Sequence, residues 1–140
     1  MNRLSPDTDV PLVLLVEDYT PLLRNMTFLL EVAGYAVMSA TDGTQALKLL
    51  QSHPPDLIIS DIEMPKMDGY ELLRHVRARK QWDNIPFIFI SDKYSYEEFL
   101  FGLDLGADHY VPKPFDFHDL LFAIEEVMPE AIISDFRDSA

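Results

Sequence analysis

Residues 57–69 read LIISDIEMPKMDG. A short apolar run stops at a carboxylate, Asp61. A loop containing Pro65 follows, and Asp68-Gly69 then opens an amphipathic stretch. An apolar run this short, without alternation and closed by a polar residue, is the mark of a strand covered on both faces. The same pattern recurs on either side. Residues 10–16 (VPLVLLV) end at Glu17-Asp18, and residues 86–90 (PFIFI) end at Ser91-Asp92. Weaker strands are predicted at 35–39 and 109–111, the latter followed by Lys113-Pro114.

Helical patterns fill the intervals. One runs over 20–33, with Thr20 as N-cap, Pro21 at the first helical position and Gly34 as the stop. Others cover 44–52, 69–80, 95–105 (closed by Gly106) and 116–128. Strands alternating with helices of this length predict an α/β fold, a doubly wound five-stranded parallel sheet. Residues 1–9 are expected to form a flexible N-terminal tail and 10–128 the domain. Residues 129–140 are expected to be a C-terminal extension or the start of a linker.

Composition removes several function classes. The chain has 140 residues and a formal net charge of −13, which disfavours nucleic acid and anionic membrane as partners. It contains no Cys, hence no disulfide framework, thiolate nucleophile or Cys-based metal site. The apolar runs are too short to span a bilayer, and the first nine residues lack the apolar core of a secretory signal. A cytoplasmic protein with no membrane association is the expectation.

In doubly wound sheets the site lies beyond the carboxyl ends of the strands. There the sequence puts Glu17 and Asp18 after the first strand, Asp61 after the third, Ser91 after the fourth and Lys113 after the fifth. Each has an ordinary reading alone, as a cap, a turn or a solvated side chain. Their conjunction does not, because capping requires no lysine among the acids. Clustered carboxylates repel unless a cation sits among them. All-oxygen ligands suit a hard ion such as Mg2+. One carboxylate could then act as a nucleophile toward phosphorus, with lysine and hydroxyl binding the phosphoryl oxygens.

Taken together, Glu17-Asp18, the 61–69 segment DIEMPKMDG, Ser91, the 106–110 segment GADHY and Lys113-Pro114-Phe115 resemble the receiver domain of bacterial two-component response regulators. The resemblance covers roughly residues 10–128. It implies a flavodoxin-like (βα)5 fold with strand order 2-1-3-4-5, as in chemotaxis regulators. It implies a signalling switch rather than an enzyme, limited to self-catalysed phosphoryl transfer and autodephosphorylation. Asp61 would accept a phosphoryl group from a sensor histidine kinase or a histidine phosphotransfer protein. Mg2+ would be held by Asp18, Asp61 and the backbone carbonyl of Glu63, with Glu17 acting mainly through a coordinated water. Lys113 and Ser91 would bind the phosphoryl oxygens. Tyr110 would be the aromatic switch, turning inward as Ser91 moves. The face around helix 4, strand 5 and helix 5 would report the change to an output protein.

Two features depart from the family pattern. Asp92 stands where the family usually has a small residue. It is expected either to crowd the phosphoryl site or to point to solvent and cap helix 4. Helix 4 is apolar around most of its circumference, through Phe99, Leu100, Phe101, Leu103 and Leu105. Phe101 with Tyr94 or Tyr96 is expected to form a partner or homodimer surface, unless these rings fold back over the core. His53, His75, His109, His118 and the basic run 74–80 read as structural or solvated.

Competing functions are a receiver belonging to a longer hybrid kinase or regulator with a catalytic output domain, and a Mg2+-dependent phosphohydrolase using an aspartyl phosphate. The hydrolase needs an Asp or Thr at the second position after Asp61 and a capping insertion, and the sequence has neither. Neither GxxxxGK[ST] nor GxGxxG occurs, which disfavours a nucleotide-binding enzyme. A receiver that signals without phosphate is disfavoured by the intact Asp18, Asp61, Ser91 and Lys113.

Overall fold

A computed structural model describes residues 10–93 and 95–128. The elements run β1 (Leu12–Val16), α1 (Thr20–Val32), β2 (Ala36–Ala40), α2 (Gly43–Ser52), β3 (Leu57–Asp61), α3 (Gly69–Arg77), β4 (Phe87–Ser91), α4 (Tyr96–Leu105), β5 (His109–Pro112) and α5 (Phe117–Val127). The five strands form one sheet in the order β2-β1-β3-β4-β5, and every neighbouring pair is parallel. This is the strand order implied by the resemblance. The expected tail at 1–9 and the extension at 129–140 lie outside the described residues. Among the described residues no helix is long and apolar enough to cross a membrane.

Strand periodicity sorts the core into two layers. Val13, Leu15, Ile59, Ile88 and Ile90 face α1 and α5, where they meet Met26, Leu30, Leu120 and Ile124. Leu14, Val16, Ile58, Phe87 and Phe89 face the other side, against Leu50 of α2 and Leu72 and Val76 of α3. The central strands are buried on both faces, so their sequences read as continuous apolar runs. The register puts Val16 opposite Ser60, Asp61 opposite Ile90 and Ser91 opposite Pro112. The residues that end or follow these strands therefore emerge along one edge.

Local chemistry moves several boundaries from the expected ones. Thr20 does not cap α1. It is the first helical residue, and Tyr19 stands at the N-cap without a side-chain bond. The Tyr19 amide is instead taken by the Glu17 carboxylate, at 3.0 Å. Asp92 does not cap α4 either; Ser95 does, accepting from the Glu98 amide. The other helices start at side chains suited to the task, with Asp42, Asp68 and Asp116 as N-caps. α4 is anchored lightly, with Gly102 as its single fully buried residue.

α3 ends at Arg77, short of the expected Lys80. Arg77 is not a solvated member of a basic run. Its guanidinium donates to the Gly106 carbonyl (3.0 Å) and the Ile85 carbonyl (2.8 Å), and pairs with Asp108 at 3.1 Å. Asp108 also accepts from the Phe87 amide, at 2.9 Å. Buried Trp82, with Arg79 over its ring, fills the turn that follows. Arg77 thus ties α3 to the entrances of β4 and β5.

Gly69 is set by a close approach. Its amide donates to the Ile62 carbonyl at 2.7 Å, and a Cβ there would lie 2.3 Å from the Asp61 carbonyl oxygen. Any side chain would push α3 away from the end of β3.

Three outcomes are expected in urea unfolding. Arg77→Ala should lose about 2–3 kcal/mol, because charged hydrogen bonds vanish and carbonyls are left unpaired. Arg77→Lys should recover little of this, lacking the fork. Gly69→Ala should cost about 1–3 kcal/mol through overpacking. A Gly69→Ala midpoint equal to wild type would mean that the contact relaxes without strain.

Candidate functional site

The edge formed by the strand ends gathers the charged residues. The Glu17 amide continues the β1–β2 ladder by donating to the Ala40 carbonyl at 3.0 Å, and its side chain is fully buried. Asp61 closes β3 and is 6% exposed. One of its carboxylate oxygens, Oδ1, accepts from the Ile62 amide at 2.7 Å. The other, Oδ2, lies 3.0 Å from Lys113 Nζ. The same ammonium stands 2.9 Å from Glu17 Oε1. The Lys113 amide donates to the Ser91 carbonyl at 2.8 Å, which fixes the exit of β5 against β4. The Lys113-Pro114 bond is cis.

Burial raises the affinity of Glu17 and Asp61 for protons, and their mutual repulsion adds to it for Glu17. Lys113 hydrogen bonds oppose that shift in both. For Lys113 burial alone would favour the neutral amine, but the two carboxylates outweigh it and hold its pKa above the ordinary value. Asp18 is exposed, and its charge pushes the Asp61 pKa up further.

Carboxylate oxygens of Glu17, Asp18 and Asp61 lie within 4.8 Å of one another. Three carboxylates against one ammonium leave an excess of two negative charges. Oxygen ligands on opposite sides of a small hard cation lie about 4.2 Å apart, twice the roughly 2.1 Å metal–oxygen distance. The group can therefore hold a metal ion. It forms the floor of an open cleft of about 850 Å3, walled by Tyr19, Leu22, Met64, Pro114 and Phe115 and edged by Glu63 and Asp92. Asp92 is exposed on that wall.

Ser91 and Tyr110 stand one layer away. Ser91 is buried, and its hydroxyl accepts from the Lys93 amide at 2.9 Å. Tyr110 is already inward, 4% exposed, with its phenol donating to the Lys93 carbonyl and bonded to the Ser91 hydroxyl. Burial pushes its pKa up to about 12. Gly102 leaves room for these rings; a Cβ there would approach Phe89 to 3.2 Å and Tyr110 to 3.6 Å.

Sequence reasoning missed Lys93. Its amide, its carbonyl and its ammonium engage Ser91, Tyr110 and Glu63 respectively, the last at 2.9 Å. The available signal was positional: Lys93 and Glu63 each lie two residues past the end of adjacent strands. Of the aromatic surface residues, Tyr96 is 73% exposed. Phe101 is 44% exposed and rests edge-on against Tyr70 of α3 at 4.9 Å, so it belongs partly to the domain's own packing. Tyr94 lies outside the described residues.

Comparison with known proteins agrees with this geometry. The profile of the response regulator receiver domain matches residues 13–125. The chain is 37% identical over 127 residues to response regulator MprA of Mycobacterium sp. (strain KMS), covering 91% of this chain and 54% of that protein. It thus spans about half the length of the curated relatives it matches. Chemotaxis response regulator CheY4 of Vibrio cholerae superposes with a TM-score of 0.80 at 34% identity, over 84% of this chain and 98% of that one. The non-phosphorylated HemR receiver domain of Leptospira biflexa gives a TM-score of 0.77 at 30% identity, over 84% and 94%. The fold, the clustered acids and these likenesses agree, and the chain belongs to the response regulator receiver domain family.

Proposed function

We propose that residues 10–128 are a phosphoacceptor switch in which Asp61 takes a phosphoryl group from the phosphohistidine of a sensor kinase or phosphotransfer protein. The observation that carries this reading is the Asp61 carboxylate, buried and fixed between the Ile62 amide and the Lys113 ammonium within reach of Glu17 and Asp18. A carboxylate so held presents an oxygen to phosphorus in one orientation. Its oxygen forms the new bond to phosphorus as the phosphorus–nitrogen bond breaks, and the imidazole leaves with a proton. Asp18, Asp61 and the Glu63 carbonyl would hold Mg2+, with Glu17 reaching it through water. That ion would supply charge neutralisation for the phosphoryl oxygens. Lys113 is placed to follow the charge from carboxylate to phosphoryl group. A cytoplasmic location, shared with the phosphohistidine donor, is part of this proposal.

The response would pass through residue 93. A phosphoryl group adds about −1.5 to −2 charge and strong acceptors. To donate to it, the Ser91 hydroxyl must turn its O–H away from the Tyr110 phenol, while it goes on accepting from the Lys93 amide and Tyr110 goes on donating to the Lys93 carbonyl. With both ties to residue 93 kept, movement of Ser91 toward the phosphoryl group draws the β4–α4 segment with it and so shifts the α4–β5–α5 face. The same chemistry serves a stand-alone relay protein and the receiver of a longer regulator. The half-length match to the curated relatives favours keeping the second reading.

Intact mass after incubation with Mg2+ and phosphoramidate tests the proposal. Wild type should gain one phosphoryl group and Asp61→Asn none; an equal gain in both would move the acceptor elsewhere. A second outcome concerns stability. In chelator, Asp18→Asn should unfold at a higher temperature than wild type, because one source of repulsion on Asp61 is gone. Added Mg2+ should stabilise wild type by about 1–3 kcal/mol at saturating levels and the variant far less. Equal Mg2+ stabilisation of both proteins would remove Asp18 from the metal site.

A further inference from the structure

The edge of the sheet at β5 carries an apolar surface ringed by a single sign of charge. On α4, Tyr96, Leu100 and Asp104 form one i, i+4 row; Tyr96 is 73% exposed and Leu100 44%. Leu103 lies on the flank that leads to β5, next to Phe99, whose ring meets Tyr110 at 6.3 Å. On α5, Phe122 is 58% exposed and stacks edge-on against His109 of β5 at 6.4 Å. β5 is an edge strand, with α4 and α5 on its two flanks, so the three elements share one outward surface.

We propose that this α4–β5–α5 surface takes a basic amphipathic helix of a partner protein and not a second copy of this chain. α4 carries Glu97, Glu98 and Asp104, and α5 carries Asp119, Glu125 and Glu126. No Lys or Arg occurs in α4, β5 or α5. Residues 92–128 contain two lysines, and both are committed elsewhere: Lys93 to Glu63, and Lys113 to Glu17 and Asp61.

Charge then selects the occupant. A two-fold dimer presses a patch onto its own copy, so exposed Glu97, Asp104 and Glu126 would meet carboxylates, with no uncommitted Lys or Arg among the described residues of these elements to offset them. Like-charge juxtaposition costs several kcal/mol across an interface, which is a strong selection against that partner. The apolar centre still favours burial. An amphipathic helix satisfies both demands, laying Leu or Phe anchors on Tyr96, Leu100 and Phe122 and flanking Lys or Arg on the acids. The contact itself does not require Asp61 chemistry; its regulation rests on the switch reading given above.

The probes are two synthetic helical peptides of about 16 residues with the same Leu/Phe stripe, one flanked by Lys and one by Glu. Titration is followed by amide chemical shifts at about 50 and 300 mM salt. The Lys peptide should bind at least about tenfold tighter than the Glu peptide and shift Tyr96, Leu100 and Phe122. Glu97→Lys/Asp104→Lys should weaken it about tenfold, while Glu31→Lys/Glu71→Lys, of equal net charge on α1 and α3, should change it less than about twofold. Equal losses in both double variants would reduce the effect to net charge and overturn the proposal. Absence of preference for the Lys peptide would overturn it, as would a wild-type dimer in light scattering that Leu100→Glu dissolves. Repeating the titration with beryllofluoride and Mg2+ separates the two readings. An unchanged affinity with the Lys preference intact would support the partner chemistry while removing the face from the switch.

Discussion

The Lys113 ammonium lies between two buried carboxylates, and the rest of the site depends on it. Neither Glu17 nor Asp61 could remain charged inside the protein without a counter-ion. One lysine supplies it to both, at 2.9 and 3.0 Å. β5 is separated from β3 by β4, so the pairing requires all four strand ends from β1 to β5 in register. The bond from the Lys113 amide to the Ser91 carbonyl fixes the last of them. The arrangement leaves an excess of negative charge, which lowers the stability of the metal-free protein and gives a cation a place to bind. Stability is given up where chemistry is gained.

Much of this was legible in the sequence, for a physical reason. A parallel sheet buried on both faces needs uninterrupted apolar strands, and the polar residue ending each run marks the point where the chain leaves the core. Asp61, Glu17 and Lys113 could thus be placed on one edge without coordinates. The strand order came from the resemblance and not from periodicity, which cannot order parallel strands. What remained hidden was decided either by partners distant in sequence or by competition among neighbouring polar groups for the same helix start. Arg77 looked like a solvated helix end because its carbonyl partner at Gly106 lies 29 residues away. Thr20 looked like a cap because its residue type suits the role, whereas the bond from the Tyr19 amide to Glu17 depends on the Glu17 side chain being buried at the strand end. Asp92 lost the capping role to Ser95, which sits immediately before the first turn of α4.

Residue 93 shows a different blind spot. Two of its three anchoring bonds use backbone atoms, so its side-chain identity carries no trace of them. Any residue other than proline at that position would present the same amide to Ser91 and the same carbonyl to Tyr110. The lysine adds only the tie to Glu63 across the cleft edge. Coupling between the acidic site and the aromatic ring is therefore a property of the loop's path. Sequence reading recovers side-chain chemistry better than backbone routing.

α4 meets the sheet through a glycine and lies against rings rather than interlocking with them. A helix fastened so lightly contributes little to the core, and its outward side chains face few structural constraints. Over generations those positions can diverge without unfolding the domain. The acid cluster is tied to the interior through Lys113 and does not have that freedom. The domain therefore joins a buried acidic edge, held by long-range pairing, to a helix whose outward residues can be rewritten at little cost to the fold.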